Sequence, residues 1–341
     1  MNSQRTLPST VWPVPIQLIW LIVEELQSQG IGADTLLRGS ALTPSTLGDA
    51  ERVLPYDATV ALIVRGLQLS KAPDLGIRVG MRQTPSGWGI LGYAINCCAT
   101  AGDALQMGVK YHRVSPSLNR LTLQHTGDLA YWTLHPPIDL REALPFAVEQ
   151  EFVAFCRAGP LLTGRAVPLK EAHFSYPAPA YLDAYRKAFN CKLVFNAPVS
   201  QLVLDAECLD YPILQANPLS VATATRLCEQ FLAAHPATDP LTMQIRKRLL
   251  EQPDRYPNAE ELAAELHITS RTLRNRLRQS GQSFQQILDG VREQLARGYL
   301  QEAPLKVDDI AARLKFSDAR SFRRAFKKWT GQTPDAFRAG S

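Results

Sequence analysis

The sequence predicts two domains of different class: an α+β N-terminal domain, then an all-α C-terminal domain in which two helix-turn-helix motifs are joined by a long helix. The first observation is a repeat. Leu262-Ala263-Ala264-Glu265-Leu266-His267-Ile268 recurs 48 residues later as Ile310-Ala311-Ala312-Arg313-Leu314-Lys315-Phe316. Each copy reads as a short apolar helix, a turn and a basic helix. The second is charge: residues 241–341 carry 19 Lys plus Arg against 12 Asp plus Glu, and the other 240 residues carry 18 against 20. A basic module on a slightly acidic one places affinity for polyanions at the C-terminal end. The third is His235-Pro236-Ala237-Thr238-Asp239-Pro240, proline-bounded and without apolar period, which reads as a linker. The expected domains are therefore 1–235, a linker at 236–240, and 241–341.

In the first domain Ile16, Ile19, Trp20 and Val23 fall at helical spacing, and Pro55–Leu69 and Gly102–Tyr111 also read as helices. Leu118–Leu123 and Ala130–Leu134 are strand-like and flank Thr126-Gly127-Asp128, a hairpin turn. Leu144–Arg157 returns to helix, Glu171–Tyr176 and Cys191–Phe195 read as strands, and Ser220–Leu232 is a helix with Val221, Ala224, Cys228, Phe231 and Leu232 on one side. This mixed order is α+β. Trp88, Tyr93, His112, Tyr131 and Trp132 are candidates to line a ligand pocket, since such sites are mostly apolar with a few polar handles. Ordinary core or hinge roles are the competing reading.

In the second domain Leu241, Ile245 and Leu249 open a helix at four-residue intervals. Asn258 caps the next helix and Glu261 reaches back to the cap, a capping box. Leu262 and Leu266 share one face, as do Leu273 and Leu277, so Arg271, Arg274, Arg276 and Arg278 are left in water. In the second copy Phe322 and Phe326 are the anchors, and Arg320, Arg323, Arg324, Lys327 and Lys328 ride on them. The offset grows to 49 there, with Asp318 as the added residue of the second turn. Gly331-Gln332-Thr333-Pro334 stops that helix. Between the copies Phe284, Ile287, Leu288, Val291, Leu295 and Tyr299 form one apolar stripe. A spacer of about 20 residues is about 30 Å long, near one turn of B-DNA, so both basic helices can enter successive major grooves. Arg271, Arg274, Asn275 and Arg278 in the first copy, and Arg320, Arg323, Arg324 and Lys327 in the second, are offset from the anchors and expected to face double-stranded DNA.

At Ile310-Ala311, Phe316-Ser317-Asp318, Phe322, Arg324, Phe326-Lys327-Lys328, Gly331, Thr333-Pro334 and Phe337-Arg338 the chain resembles the AraC/XylS family of bacterial transcription regulators. That resemblance implies base contacts from Arg271, Arg274, Asn275, Arg320 and Arg324, and phosphate contacts from Arg278, Lys327 and Lys328. Lys315 stands where the family usually has Gly, so a left-handed turn there costs more. Asn275 stands where it usually has Arg; Asn pairs with adenine, whereas Arg favours guanine. Gly87-Trp88-Gly89-Ile90-Leu91-Gly92-Tyr93, followed by Thr100-Ala101-Gly102-Asp103-Ala104-Leu105, is similar to the sensory domain of the ornithine-utilisation-regulator branch. This implies a homodimeric activator of the bacterial cytoplasm that senses a small-molecule effector and works with RNA polymerase. Helices occupy too much of the segment for the jelly-roll barrel of the arabinose regulator.

Other classes find little support. The six cysteines (Cys97, Cys98, Cys156, Cys191, Cys208, Cys228) have no metal-ligand spacing, and no metal or other cofactor is expected. A DNA-repair methyltransferase carrying the same kind of helix-turn-helix needs an activated Cys, usually followed by His, and here no Cys precedes a His. An architectural DNA-binding protein would leave the large N-terminal domain unexplained. The apolar run Ile16–Val23 is short and followed by Glu24-Glu25, so neither a membrane span nor a signal peptide is expected.

Overall fold

The computed structural model describes residues 11–40, 42–237, 240–251, 255–279, 282–302 and 305–339. The chain divides into two compact units between Ala237 and Thr238. Of the expected linker, Thr238 and Asp239 lie outside the described residues, and Pro240 opens a helix.

The N-terminal unit begins with a two-residue ribbon, β1 (Val14–Pro15) against β2 (Val53–Leu54), around α1 (Gln17–Ser28) and α2 (Ala33–Leu37). Three helices lead on from it: α3 (Tyr56–Leu69), α4 (Leu75–Arg82) and α5 (Gly89–Asn96). Next come α6 (Ala101–Tyr111), the hairpin β3 (Arg120–Thr126) and β4 (Leu129–His135), and α7 (Leu144–Thr163). The unit closes with β5 (Leu169–His173), α8 (Leu182–Phe189), β6 (Lys192–Val194), β7 (Ser200–Asp205) and α9 (Pro218–Ala234). Five strands form an open sheet in the order β3-β4-β7-β5-β6, antiparallel except for β5 with β6. One row crosses all five: Leu123, Trp132, Leu202, Ala172 and Leu193 are successive partners, so their side chains share a face. That face packs on Val148 and Phe152 of α7 and Tyr185 and Phe189 of α8. A second core joins Leu91, Ala94 and Ile95 of α5, Ala104 and Tyr111 of α6, Ala158 and Leu162 of α7, and Ala224 and Cys228 of α9.

The α+β class is as the sequence predicts, and the sheet is open rather than a barrel. Sequence reading missed β7, the middle strand. Ser200, Leu202, Val203 and Leu204 are all buried, so the two-residue alternation that marks a half-exposed strand is absent. It also missed α4, whose Gly76 and Gly80 weaken a helical reading but let it approach α7. A Cβ at Gly76 would stand 2.9 Å from Phe146 Cα, and one at Gly80 would stand 2.8 Å from the Gln150 carbonyl oxygen.

The C-terminal unit is all-helical: α10 (Pro240–Glu251), α11 (Ala259–Glu265), α12 (Ser270–Gln279), α13 (Phe284–Glu302), α14 (Val307–Arg313), α15 (Ala319–Thr330) and α16 (Pro334–Ala339). It holds two cores rather than one. Leu241, Ile245 and Leu249 pack with Leu262, Leu273 and Leu277 and with Ile287, Leu288 and Val291 of α13. Ala296 and Leu300, further along α13, pack with Ile310, Leu314, Phe322 and Phe326. The expected single stripe is therefore divided, with Leu295 against both cores. Each half of α13 serves one helix-turn-helix module.

Candidate nucleic-acid interface and ligand cavity

The two helix-turn-helix turns are built alike. His267 N–H donates to the Ala264 carbonyl at 3.1 Å and Ile268 N–H to Ala263 at 2.9 Å; Lys315 donates to Ala312 at 3.1 Å and Phe316 to Ala311 at 3.0 Å. This is the Schellman pattern, which needs a left-handed residue, and His267 and Lys315 hold φ of 54° and 55°. The caps follow. Thr269 Oγ1 accepts from Thr272 N–H at 3.1 Å, and Asp318 Oδ1 accepts from Ser321 N–H at 2.7 Å. Asp318 thus corresponds to Thr269, and the residue inserted into the second turn is Ser317, a correction to the sequence alignment. Asn258 and Glu261 form the expected capping box at α11.

Leu273, Leu277, Phe322 and Phe326 are buried, and every basic candidate on α12 and α15 is exposed. Counting roughly 100° per residue from Leu273, Arg274 falls near 100°, Arg278 near 140°, Arg271 near 160° and Asn275 near 200°, opposite the buried anchors. Counted the same way from Phe322, Arg323, Lys327, Arg320 and Arg324 take the same four places. Arg276, at about 300°, lies off this shared face, and Lys328, at about 240°, stands at its edge beside Arg324. Among the described residues no carboxylate is paired with Arg271, Arg278, Arg320, Arg323, Arg324, Lys327 or Lys328; ion pairs of this unit join Arg248 to Glu265, Arg255 to Glu261 and Arg297 to Glu293. Two helices therefore present matched faces of uncommitted cations, the electrostatic footprint of a phosphate-backbone partner.

The N-terminal unit contains a cavity of about 130 Å³ between its two cores, bounded by α5, α6, α7 and the sheet. Glu151 stands in its lining, buried, and its carboxylate accepts from Ser117 Oγ at 2.8 Å and Asn119 Nδ2 at 2.9 Å. Burial outweighs these bonds and pushes the Glu151 carboxyl up to about 7. Trp88 Nε1 donates to Gln83 Oε1 at 2.8 Å, and Gln83 Nε2 donates to Gln150 Oε1. Of the five aromatic candidates, Trp88 and Trp132 line this cavity and the other three do not. Tyr93 points to solvent at 49% exposure. His112 is edge-on to Trp12 at 5.0 Å with Nδ1 on the Val109 carbonyl, and burial lowers its pKa to about 4. Tyr131 neighbours Trp132 on β4, so its side chain projects from the opposite face. The polar wall of Glu151, Gln150 and Gln83 escaped sequence reading. Its signal was present: Glu149-Gln150-Glu151 interrupts the apolar run from Phe146 to Ala154, and all nine residues are buried. Among the described residues no helix is long and apolar enough to cross a membrane.

Comparison with known proteins agrees with this geometry. Residues 30–213 match the arabinose-binding domain of AraC transcription regulator, N-terminal, and residues 262–340 match a helix-turn-helix domain. The chain is 32% identical to the ornithine utilization regulator of Pseudomonas aeruginosa over 98% of its own length and 99% of that protein. It is 27% identical to the HTH-type transcriptional regulator VirS of Mycobacterium tuberculosis over 82% of its own length and 84% of that protein. The crystal structure of transcriptional regulator CdpR from Pseudomonas aeruginosa aligns over 94% of this chain and 98% of that one, at 23% identity and a TM-score of 0.47. Two helix-turn-helix modules behind an N-terminal domain of this type, with similarity along nearly the whole chain, place the protein in the AraC family of DNA-binding transcription regulators.

Proposed function

We propose that this regulator binds a specific promoter sequence through both recognition faces and activates transcription in response to a small molecule held in its N-terminal unit. The observation that carries the reading is the matched angular placement of three exposed cations on each of α12 and α15, with Asn275 standing where Arg324 stands in the fourth place. In it, Arg271, Arg274, Asn275, Arg320 and Arg324 touch base edges, while Arg278, Lys327 and Lys328 hold phosphates and Arg323 lies on the DNA-facing side. Asn275 takes the angular place that Arg324 takes in the second module, so the first module prefers adenine where the second prefers guanine. Trp88 and Trp132 belong to the effector site. Residues 1–235 also supply the homodimer contact, which α9 fits: Ala224 and Cys228 are buried within the unit, whereas Leu219 and Leu227 on its outer face are exposed. Activation then proceeds through contact with RNA polymerase.

A mobility-shift titration tests the DNA half. Residues 241–341 alone should bind a site selected from random DNA by the full chain, with a log–log salt slope of about −7 if about eight phosphates are neutralised. A slope near zero would refute the electrostatic basis. The effector, once found, should alter binding or activation by the full chain and leave the isolated segment unchanged. Light scattering at micromolar concentration, with and without DNA, tests the dimer; a monomer in both conditions would refute it.

A further inference from the structure

What the N-terminal cavity takes can be argued from which of its polar groups are spare. It runs beside one face of α7 from Gln150 and Glu151 to Leu162 and Thr163, a length of roughly 18 Å at 1.5 Å per residue. Between those ends the face presents Ala154, Phe155, Ala158 and Gly159. Most polar groups in the lining already have partners. Ser115 Oγ donates to the His112 carbonyl at 2.7 Å, Thr163 Oγ1 to Gly159 at 2.8 Å, and Tyr211 OH to Glu207 at 2.9 Å. Ser117 is committed to Glu151, and Gln83 is held between Trp88 and Gln150. One buried donor stands apart: Trp132 is 6% exposed, and its Nε1 has no hydrogen-bond partner. Its ring stacks on Phe155 at 4.5 Å, one turn of α7 from Glu151.

We propose that this cavity binds an elongated, uncharged apolar molecule with one hydrogen-bonding oxygen, of the fatty alcohol or ester class, whose oxygen accepts from Trp132 Nε1 and whose chain lies along Ala154 and Ala158. The inference rests on the reading of the N-terminal unit as an effector domain and names the chemistry of that effector. A pentose would set several hydroxyls against the apolar face of Ala154, Phe155, Ala158 and Gly159, and each unmatched hydroxyl opposes binding. A carboxylate seated at Trp132 would lie near Glu151. The single cation in the lining, Arg165, is exposed and stacked on the Tyr211 ring at 4.6 Å. An amino acid would have to bury two charges, a desolvation cost that Glu151, already bonded to Ser117 and Asn119, and the exposed Arg165 offset only in part.

The test is thermal unfolding of the full chain with decanol, methyl decanoate, decanoate, arabinose and ornithine as probes. Decanol and methyl decanoate should raise the unfolding temperature of the N-terminal unit in a saturable way. Trp132→Phe, which keeps the ring and removes the donor, should weaken that binding about fivefold to tenfold. Ala158→Leu, which fills the channel, should abolish it. Stabilisation by arabinose or ornithine that Ala158→Leu removes would overturn the ligand class and leave the effector reading standing. Decanoate binding as tightly as decanol would overturn the uncharged assignment, and unchanged affinity in Trp132→Phe would overturn the seat. No response to any of the five probes would overturn the class and withdraw support from the effector reading as well.

Discussion

The guanidinium of Arg292 lies over the ring of Phe316, 4.8 Å from its centroid, and also over the ring of Tyr256 at 5.2 Å. Phe316 packs on the core of the second module and Tyr256 on that of the first. Arg292 Nη2 also donates to the Lys315 carbonyl at 3.3 Å. A cation on the shared helix α13 therefore clasps both modules at the turn of the second. Half-buried, it loses solvation, which lowers its pKa from the usual range.

Arg292→Met keeps the aliphatic packing and removes the charge. With a cation–π contact worth about 0.5–2 kcal/mol, the two recognition helices should hold their spacing less firmly. Against DNA sites in which the half-site separation is altered by single base pairs, the wild-type chain should discriminate sharply and the variant weakly. Equal discrimination by both proteins in a mobility-shift series would show that α13 alone fixes the spacing.

Lys315 carries a side chain in a left-handed conformation that the Schellman turn imposes. Lys315→Gly should relieve about 1–2 kcal/mol of steric cost and lose about 0.5–1 kcal/mol to the freer unfolded chain. The net expectation is a gain of about 0.5–1 kcal/mol, read as a rise of a few degrees in the unfolding temperature of residues 241–341. A fall would mean that the Lys315 side chain contributes contacts that outweigh the strain.

Arg274→Ala and Arg324→Ala should each weaken binding to the selected site by about 1–3 kcal/mol and binding to random DNA far less. Equal losses on both DNAs would reassign the two residues to phosphate.

The C-terminal unit was the more legible in sequence because its signals are local. The capping box at Asn258, anchors four residues apart and cations between them are all set within one or two helical turns. The insertion was misplaced by one residue because Ser317 and Asp318 both suit a turn, and only the bond from Ser321 N–H to Asp318 identifies the cap. The N-terminal cavity was legible only in part. Trp132 faces it because of its register between Leu123 and Leu202, and that register depends on β7, which carries no alternating pattern. Tyr93 belongs to the same motif as Trp88, yet α5 turns it outward.

Two buried carboxyls make the stability of the N-terminal unit depend on pH. Glu149 accepts from Tyr181 OH at 2.7 Å and Tyr185 OH at 2.5 Å, yet burial dominates and pushes it up to about 7, as it does Glu151. A carboxyl whose folded pKa is raised holds its proton where the unfolded chain has released it. Between the ordinary value of 4.5 and about 7 the folded state therefore binds more protons, and stability falls as pH rises through that window and is level above it. Each carboxyl contributes on the order of 3 kcal/mol to that fall at most. His112 acts in the opposite sense: its pKa is lowered to about 4 from 6.5, so its contribution is lost as pH falls through that interval. His135, whose pKa burial also lowers, acts in the same sense as His112, so the net decline belongs to the range above pH 6.5, where both imidazoles are mostly neutral in either state and the two carboxyls still titrate. Glu151→Gln, which has no proton to release, should flatten the decline in the unfolding temperature of the N-terminal unit measured from about pH 6.5 to about pH 7.5. An unchanged slope in the variant would mean that Glu151 titrates alike in the folded and unfolded chains.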